Sequence, residues 1–181
     1  MSAASSSLGG VVIVTGSPGT GKTTLSAYLA LKNARGVHLR SDDFYGYLAH
    51  PISPVLHESH AQNETVIGAC TRAALAFAEG GYDVYLDGIF GPWFLPVVLA
   101  SLTEVRVDYV VLRSGLAQAI ERAGSRSEAP ADAAIVTQMH EAFAVLGAYE
   151  HHALDIAAKG IPDVANELER RRRAGEFRLG S

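Results

Sequence analysis

Short apolar runs alternate along the chain with segments in which apolar residues recur every three or four positions. The first run, residues 11–15, is almost continuously apolar, which is typical of a strand buried on both faces. The segment that follows, residues 22–33, places Leu25, Tyr28 and Leu29 on one side of a helix. Strands that alternate with helices in this way predict an α/β fold built around a mainly parallel sheet.

The alternation continues along the rest of the chain. Four more strands are predicted, at residues 36–40, 82–86, 105–112 and 153–156. Five more helices are predicted, at residues 58–79, 92–102, 116–123, 136–146 and 162–173. Gly80 and Gly81 are expected to end the first of these. We expect residues 1–10 to be a flexible tail and residues 11–181 to form a single domain, because no linker divides them.

Composition narrows the class of protein. With 181 residues, of which 48% are hydrophobic and 19% are charged, the chain can bury a sizeable core and is not disordered. Its net charge of −4 gives no electrostatic reason to expect nucleic acid as the main partner. The one basic run, residues 170–173, is interpreted as the solvated end of the last helix, and His151 and His152 are interpreted as surface residues.

The expected location follows from cysteine content and hydropathy. Cys70 is the only cysteine, so no intrachain disulfide can form, which suits a reducing cytosol; we interpret it as a small core residue. Residues 1–7 lack the basic start and apolar stretch of a signal peptide, and no run approaches the roughly 18 apolar residues that span a bilayer. We therefore expect a cytoplasmic protein that does not enter a membrane.

The strongest motif lies between the first strand and the first helix. Residues 16–23 read GSPGTGKT, which matches the G-x-x-x-x-G-K-T pattern of loops that bind nucleotide phosphates. The glycines allow backbone N–H groups to point at phosphate oxygens, Lys22 supplies a positive charge, and the Thr23 hydroxyl can bind Mg²⁺. The predicted nucleotide-binding residues of this loop are Gly16, Ser17, Pro18, Gly19, Thr20, Gly21, Lys22, Thr23 and Thr24.

Acidic side chains follow the second and third predicted strands, at the edge of the sheet where ligands of such folds bind. Asp42 could face the γ-phosphate and accept the proton of an acceptor hydroxyl, with Asp43 as the second choice. Ser41 or Asp42 could also cap a short helix that starts near Phe44. Asp87 ends the third strand and could hold Mg²⁺, or it could instead bind the acceptor.

Two further features could complete the site. Arg122 and Arg126 share one face of a helix, and a short lid at about residues 122–132 would bring them over the phosphates, although a solvated helix end has the same pattern. Trp93 closely follows Asp87 and could form an aromatic wall of an acceptor pocket or be buried in the core. The residues expected to contact the acceptor are Asp42, Asp43, Phe44, Asp87 and Trp93.

Together these motifs resemble the small P-loop kinases of the adenylate-kinase-like superfamily, such as gluconate and shikimate kinases, chloramphenicol phosphotransferase, zeta-type toxins, the kinase domain of polynucleotide kinase, and AAA-type phosphotransferase-like ATPases. The resemblance rests on residues 16–24, 40–44 and 87–88 and on Arg122 and Arg126. It implies a P-loop NTPase three-layer sandwich with a five-stranded parallel sheet of order 2-3-1-4-5 and a short lid. It also implies that the lid arginines contact phosphates and that the acid after the second strand activates the acceptor.

The expected function is an ATP-dependent kinase that uses Mg²⁺ and phosphorylates a hydroxyl of a small molecule, such as a sugar, nucleoside or antibiotic-like compound, as a monomer or homodimer. Lys22, Asp42 and Arg126 are the expected catalytic residues, and Arg122 is expected to bind the nucleotide. The alternatives are a nucleotide-dependent switch or regulatory ATPase, and a kinase of polynucleotide 5′-hydroxyl groups. An open acceptor pocket beside the γ-phosphate, lined by Asp42, Asp43 and Trp93, would favour the small-molecule kinase, and a closed or filled cleft there would favour the switch.

Overall fold

Five parallel strands form the centre of the molecule. A computed structural model of the chain describes residues 8–125 and 131–180. The strands are β1 (Gly10–Thr15), β2 (Gly36–Arg40), β3 (Asp83–Asp87), β4 (Arg106–Arg113) and β5 (Ala153–Asp155). They pair in the order β2-β3-β1-β4-β5, and every pairing is parallel. The predicted fold class and strand order are therefore confirmed, and β1 starts at Gly10, the last residue of the predicted tail.

Seven α-helices surround the described part of the sheet. They are α1 (Lys22–Lys32), α2 (Ser41–Tyr45), α3 (His60–Glu79), α4 (Leu95–Ser101), α5 (Leu116–Gly124), α6 (Ala133–Ala142) and α7 (Ile161–Arg173). Short 3₁₀ turns precede α3, α4 and β5, at His57–Ser59, Pro92–Phe94 and Gly147–His152. The helix predicted to reach residue 146 thus ends at Ala142. None of the helices in residues 8–125 and 131–180 is long and apolar enough to cross a membrane.

The core lies on both faces of the sheet, because successive side chains of a strand point in opposite directions. On one face, Ile13 of β1 packs in a cluster with Ile67 of α3. On the other face, Val14 packs in a cluster with Leu25 of α1 and residues of α7. The helices therefore form layers above and below the sheet, as in a three-layer sandwich. Cys70 is fully buried in the first cluster, so its interpretation as a core residue is confirmed.

The basic run at residues 170–173 is only partly solvated, which corrects the sequence interpretation. Arg172 is mostly buried, and its Nε donates to the completely buried carboxylate of Asp108 at 3.0 Å. Arg106 binds the same carboxylate at 2.8 Å. The guanidinium of Arg171 lies over the ring of Phe177, with 4.2 Å between the guanidinium carbon and the ring centre. These contacts attach α7 and the segment after it to β4, because a buried carboxylate needs cationic partners.

His152 is buried, so its interpretation as a surface residue is wrong. Only 2% of the residue is exposed, and its Nδ1 donates to the carbonyl oxygen of Tyr109 at 2.9 Å. Its ring also packs against the rings of Tyr109 and Tyr149. Burial lowers the pKa of His152 below the ordinary value of 6.5, because the charged form loses its hydration.

We expect His152 to make folding stability pH-dependent. Below about pH 6.5 the unfolded chain binds a proton that the buried imidazole does not take up. The free energy of unfolding should therefore be highest above that pH and fall as pH is lowered through the folded-state pKa, with a slope of at most about 1.4 kcal/mol per pH unit. Urea denaturation at pH 7.5 and 5.5 should show a smaller difference in His152→Gln than in the parent protein. An exposed histidine elsewhere provides the control: His50→Gln should keep the parental difference, and an unchanged difference in His152→Gln would contradict the prediction.

Candidate active site

The phosphate-loop motif lies at the carboxyl end of β1 and leads directly into α1. Gly16, Gly19 and Gly21 adopt φ values of 140°, 83° and 79°, a backbone conformation that residues with a Cβ atom rarely adopt. A Cβ on Gly16 would lie 2.4 Å from the carbonyl oxygen of Leu112, and one on Gly19 would lie 2.1 Å from that of Ala119. Gly16 and Gly19 are thus required both by the backbone conformation and by the close approach of β4 and α5, whereas Gly21 is required by its backbone conformation alone.

Lys22 is buried within this loop. Its ammonium donates hydrogen bonds to the carbonyl oxygens of Gly16 at 2.9 Å and Ser17 at 3.0 Å. The hydroxyl of Thr20 donates to the same Ser17 oxygen at 2.8 Å. The loop therefore encloses a positive charge whose hydrogen-bonding partners are backbone carbonyls of the loop itself.

Asp87 lies at the end of β3, between two polar side chains. The Thr23 hydroxyl donates to Asp87 Oδ1 at 3.2 Å, and His38 Nε2 lies 2.5 Å from Asp87 Oδ2. Asp87 is 3% exposed, so these partners compensate the desolvation of its carboxylate. His38 was missed by the sequence analysis; the available signal was a polar side chain between the apolar Val37 and Leu39 of the second strand.

The pair of Thr23 and Asp87 fits Mg²⁺. Both side chains offer oxygen atoms, which are the ligands that Mg²⁺ prefers, and Mg²⁺ usually takes only one or two carboxylates and completes its shell with water and phosphate oxygens. No group of three or more His, Cys, Asp or Glu side chains that could hold a metal occurs among the described residues. Thr23 and Asp87 by themselves would supply only part of the coordination shell of Mg²⁺.

Asp42 and Asp43 lie in the first turn of α2, directly after β2. Arg40 at the end of β2 pairs in register with Asp87, so the two acids follow the strand next to Asp87. Asp43 is 3.7 Å from the guanidinium of Arg40, whereas Asp42 is exposed and forms no ion pair with a described residue. The capping alternative is wrong: α2 starts at Ser41 itself and has no side-chain cap, because Ser41 is buried against Gly88.

A cavity of about 360 Å³ opens on the β3 side of the phosphate loop. Its walls come from α2, the start of α3, the segment after β3, and α6. They are formed by Tyr45, Pro54, Val55, Leu56, His57, His60, Asn63, Ile89, Trp93, Phe94 and Met139. Trp93 is 43% exposed, so the alternative of a core tryptophan is wrong. Asp42, Asp43, Phe44 and Asp87 do not line this cavity, which we call the Trp93 cavity.

Tyr45 and Asn63 form a polar group in the wall of the Trp93 cavity. The amide nitrogen of Asn63 donates to the carbonyl oxygen of Pro54 at 2.8 Å and to the Ser59 hydroxyl at 3.0 Å. Its amide oxygen accepts a hydrogen bond from the Tyr45 hydroxyl at 3.1 Å. Burial is the main reason that the pKa of Tyr45 is raised to about 12, and the nearby Asp42 carboxylate contributes. Tyr45 therefore stays protonated at any pH at which an enzyme is ordinarily assayed.

A second cavity of about 360 Å³ opens on the β5 side of the loop. It is lined by Thr20, Gly21, Thr24, Leu25, Leu112, Arg122, Ile156, Lys159, Gly160, Ile161 and Val164, and we call it the Arg122 cavity. Arg122 belongs to α5 and is exposed. Arg126, the other predicted lid arginine, lies outside the described residues, as do residues 127–130 of the predicted lid.

No family model and no curated protein matches the chain. The solved structure of the Mycobacterium tuberculosis APS kinase in complex with AMPPNP and APS is similar, with a TM-score of 0.69 and 18% identity over 92% of this chain and 98% of that chain. A sugar kinase from Janibacter sp. HTCC2649 gives a TM-score of 0.68 and 14% identity over 90% and 93% of the two chains.

A chain of the Pnkp1/Rnl/Hen1 RNA repair complex is also similar, with a TM-score of 0.60 and 17% identity. That alignment covers 75% of this chain but only 44% of the other, so this chain spans less than half of the length of that relative. Structural similarity at identities this low establishes the three-dimensional fold of the chain but does not identify its substrate. The chain has the fold of the P-loop kinases.

Proposed function

We propose that this protein is an ATP-dependent kinase that transfers the γ-phosphoryl group to a hydroxyl of a small molecule. This proposal rests on two separate open cavities: the Arg122 cavity borders the phosphate loop, and the Trp93 cavity lies beyond the carboxyl end of β3, lined by Trp93 but not by Asp42 or Asp43. A phosphoryl-transfer enzyme must hold a donor and an acceptor on opposite sides of the transferred group. A nucleotide switch needs only a cavity for its nucleotide, which here is the Arg122 cavity. The additional, open Trp93 cavity therefore favours the kinase.

The donor would occupy the phosphate loop and the Arg122 cavity. The Lys22 ammonium can exchange its two carbonyl partners for β- and γ-phosphate oxygens with little movement, because it already lies inside the loop. Thr23 and Asp87 would hold Mg²⁺, which when bound neutralises charge on the β- and γ-phosphates. In this proposal the adenine base extends from the loop into the Arg122 cavity, towards Arg122, Ile156 and Lys159, which line it.

Arg122→Ala is expected to weaken ATP binding without abolishing transfer. A guanidinium packed on a base or bound to phosphate contributes about 1–2 kcal/mol, so the KM for ATP should rise by roughly 10-fold while kcat changes little. Steady-state ADP release measured over a range of ATP concentrations checks this. Arg173→Ala, at the exposed end of α7, is the matched control and should leave both constants unchanged. An unaltered KM for ATP in Arg122→Ala would mean that the adenine base binds elsewhere.

Asp42 is the proposed base. Its carboxylate is exposed and lies two residues after Arg40, which pairs in register with Asp87. The Asp42 charge also contributes to the raised pKa of Tyr45, in the wall of the Trp93 cavity. As the acceptor oxygen forms its bond to the γ-phosphorus, the bond to the β-phosphate bridging oxygen breaks and ADP leaves. The proton of the acceptor hydroxyl passes to Asp42. Asp43 is the weaker choice because Arg40 engages it.

A panel of hydroxyl compounds, assayed by coupled release of ADP, tests the proposal. At least one compound should raise ADP release above the basal rate and yield one equivalent of phosphorylated product, with Lys22→Ala as the blank. A rate that no acceptor changes, with all of the γ-phosphate recovered as inorganic phosphate, would point to the regulatory ATPase instead. Phosphorylation confined to 5′-hydroxyl oligonucleotides would support the polynucleotide alternative, which the net charge of −4 disfavours.

A further inference from the structure

We infer that the acceptor is an uncharged hydroxyl compound with a flat apolar face that lies against Trp93 and donates a hydrogen bond to Tyr45. This inference rests on the proposed kinase function and specifies the acceptor class. It excludes acceptors that carry their phosphate or carboxylate group into the Trp93 cavity. Three properties of the described lining residues support it: their charge, their apolar and aromatic surface, and the direction of their hydrogen bonds.

The lining contains no fixed positive charge. Among the described residues, no lysine or arginine borders the Trp93 cavity. An anion transferred from water into such a site has to recover its hydration energy from cationic donors, and without them binding is strongly unfavourable. The lining includes His57 and His60, and His60 Nε2 lies 3.4 Å from the carboxylate of Glu64. A protonated His60 would therefore already have an anionic partner on its own helix.

The lining is apolar and aromatic instead. Trp93 is held by the rings of Phe94 and Phe143, with 6.1 and 5.5 Å between ring centres, yet 43% of it remains exposed. Val55 and Leu56 border the same cavity and are also large exposed hydrophobic residues. Exposed apolar side chains gathered around one concave site are typical of a surface that a ligand covers. A flat ring is favoured because it can lie against an indole.

The hydrogen bonds of Asn63 fix the polar preference of the Trp93 cavity. Both nitrogen-bound hydrogens of its amide are directed to Pro54 and Ser59, so its oxygen is the group that faces Tyr45. An amide oxygen can only accept, and the Tyr45 hydroxyl must therefore donate its single hydrogen to it. The lone pairs of the Tyr45 oxygen remain for a ligand. They select a hydroxyl or N–H group of the ligand, and repel a carboxylate or phosphate.

The same wall lies close to the reacting groups. Tyr45 is three residues after Asp42 on α2, and Ile89 follows Asp87 and Gly88 at the end of β3. Phe143, which contacts Trp93, borders a smaller cavity of about 210 Å³ together with Ser17 of the phosphate loop. A compound bound between Tyr45 and Trp93 can therefore present a hydroxyl to Asp42 and to the end of the phosphate loop.

Tryptophan fluorescence tests the inference directly, because Trp93 is the only tryptophan of the chain. With AMPPNP filling the donor site, the emission should be titrated with matched sets of compounds. One set consists of phenyl β-glucoside, phenyl β-glucuronide and methyl β-glucoside, which differ in charge and in the presence of a ring. Neutral nucleosides and their 5′-monophosphates, and neutral aryl diols and their carboxylate analogues, form further pairs.

At least one neutral aromatic compound should change the emission saturably and bind at least about 10-fold more tightly than its anionic and ring-free counterparts. Equal or tighter binding of the anionic member in every responding pair would overturn the inference, and so would a saturable response to none of the neutral compounds. Parallel ADP release separates the two proposals. Binding at Trp93 with no phosphorylation would refute the kinase and leave the ligand class standing, whereas phosphorylation only of anionic acceptors would do the reverse.

Two variants sharpen the test. Met139→Lys places a cation in the wall of the Trp93 cavity and should lower the preference for neutral over anionic ligands by about 10-fold. Tyr45→Phe removes the acceptor oxygen and should weaken binding of the neutral compound by roughly 5- to 10-fold. Tyr82→Phe, an exposed tyrosine at the opposite end of β3, is the matched control and should bind as the parent does. Circular dichroism verifies that each variant folds, and an unchanged preference in a folded Met139→Lys contradicts the inference.

Discussion

Replacing Lys22 with alanine is expected to lower kcat for phosphoryl transfer by roughly 10³-fold or more. A cation held against the transferred phosphoryl group stabilises the charge that develops in the transition state, and removal of such groups costs rates of this order. The side chain is buried and already bound to two carbonyl oxygens of the loop, so its position is preorganised. Single-turnover transfer of radiolabelled γ-phosphate, at saturating ATP, measures the effect on the chemical step.

The control for this variant is Lys32→Ala at the end of the same helix. Lys32 is exposed and its ammonium lies over the ring of Tyr28, 4.8 Å from the ring centre, so its loss should leave transfer unchanged. Because Lys22 also bonds the loop, the melting temperature of each variant is needed to exclude unfolding. A folded Lys22→Ala protein that transfers phosphate within 10-fold of the parental rate would refute the assignment of the loop.

Asp42→Asn should lower kcat by about 10²- to 10⁴-fold and leave the affinity for ATP unchanged. The amide keeps the size of the carboxylate but cannot accept the proton of the acceptor hydroxyl, and general bases contribute rates of this order. The Asp42 side chain is exposed and forms no hydrogen bond to a described residue, so the substitution removes no side-chain hydrogen bond in that part of the chain. Transfer kinetics and binding of a fluorescent ATP analogue, measured on the same preparation, separate the two effects.

Asp43→Asn is the matched control, one residue away on the same short helix. Its carboxylate engages Arg40 at 3.7 Å at the surface, an interaction worth less than about 1 kcal/mol, so transfer should fall by less than a few-fold. If the loss of activity instead followed Asp43 and spared Asp42, the two roles would be reversed. If neither variant lost activity, the acceptor hydroxyl would be deprotonated by another group.

Local patterns were sufficient to predict the strands and helices, whereas the order of the strands was implied by the resemblance to the small P-loop kinases. The continuous apolar run of β1 and the helical spacing of Leu25 and Leu29 depend only on near neighbours in the chain, and they predicted elements that the structure contains. The phosphate-loop motif could be recognised for the same reason, because its glycines are required by the positive φ angles of the loop itself. The short β5 was also predicted, since Leu154 lies in an apolar run.

The errors have a common cause in contacts between residues far apart in sequence. The basic run was interpreted as solvated because composition does not reveal Asp108, the buried carboxylate on β4 that binds Arg172 of α7. His152 was assigned to the surface because nothing near it in sequence indicates the carbonyl of Tyr109. Ser41 or Asp42 was the alternative cap of a helix starting near Phe44, but Ser41 packs against Gly88 and is itself the first residue of α2.

By itself, the amino-acid sequence determined that this protein is an α/β domain with a phosphate-binding loop after its first strand, because periodicity and glycine conformations are properties of neighbouring residues. Only the tertiary structure decided what surrounds that loop. It brought His38 and Thr23 to Asp87, and it opened a neutral aromatic cavity between Tyr45 and Trp93. These groups come from separate elements of the chain. They lie close together only because the sheet order places those elements side by side.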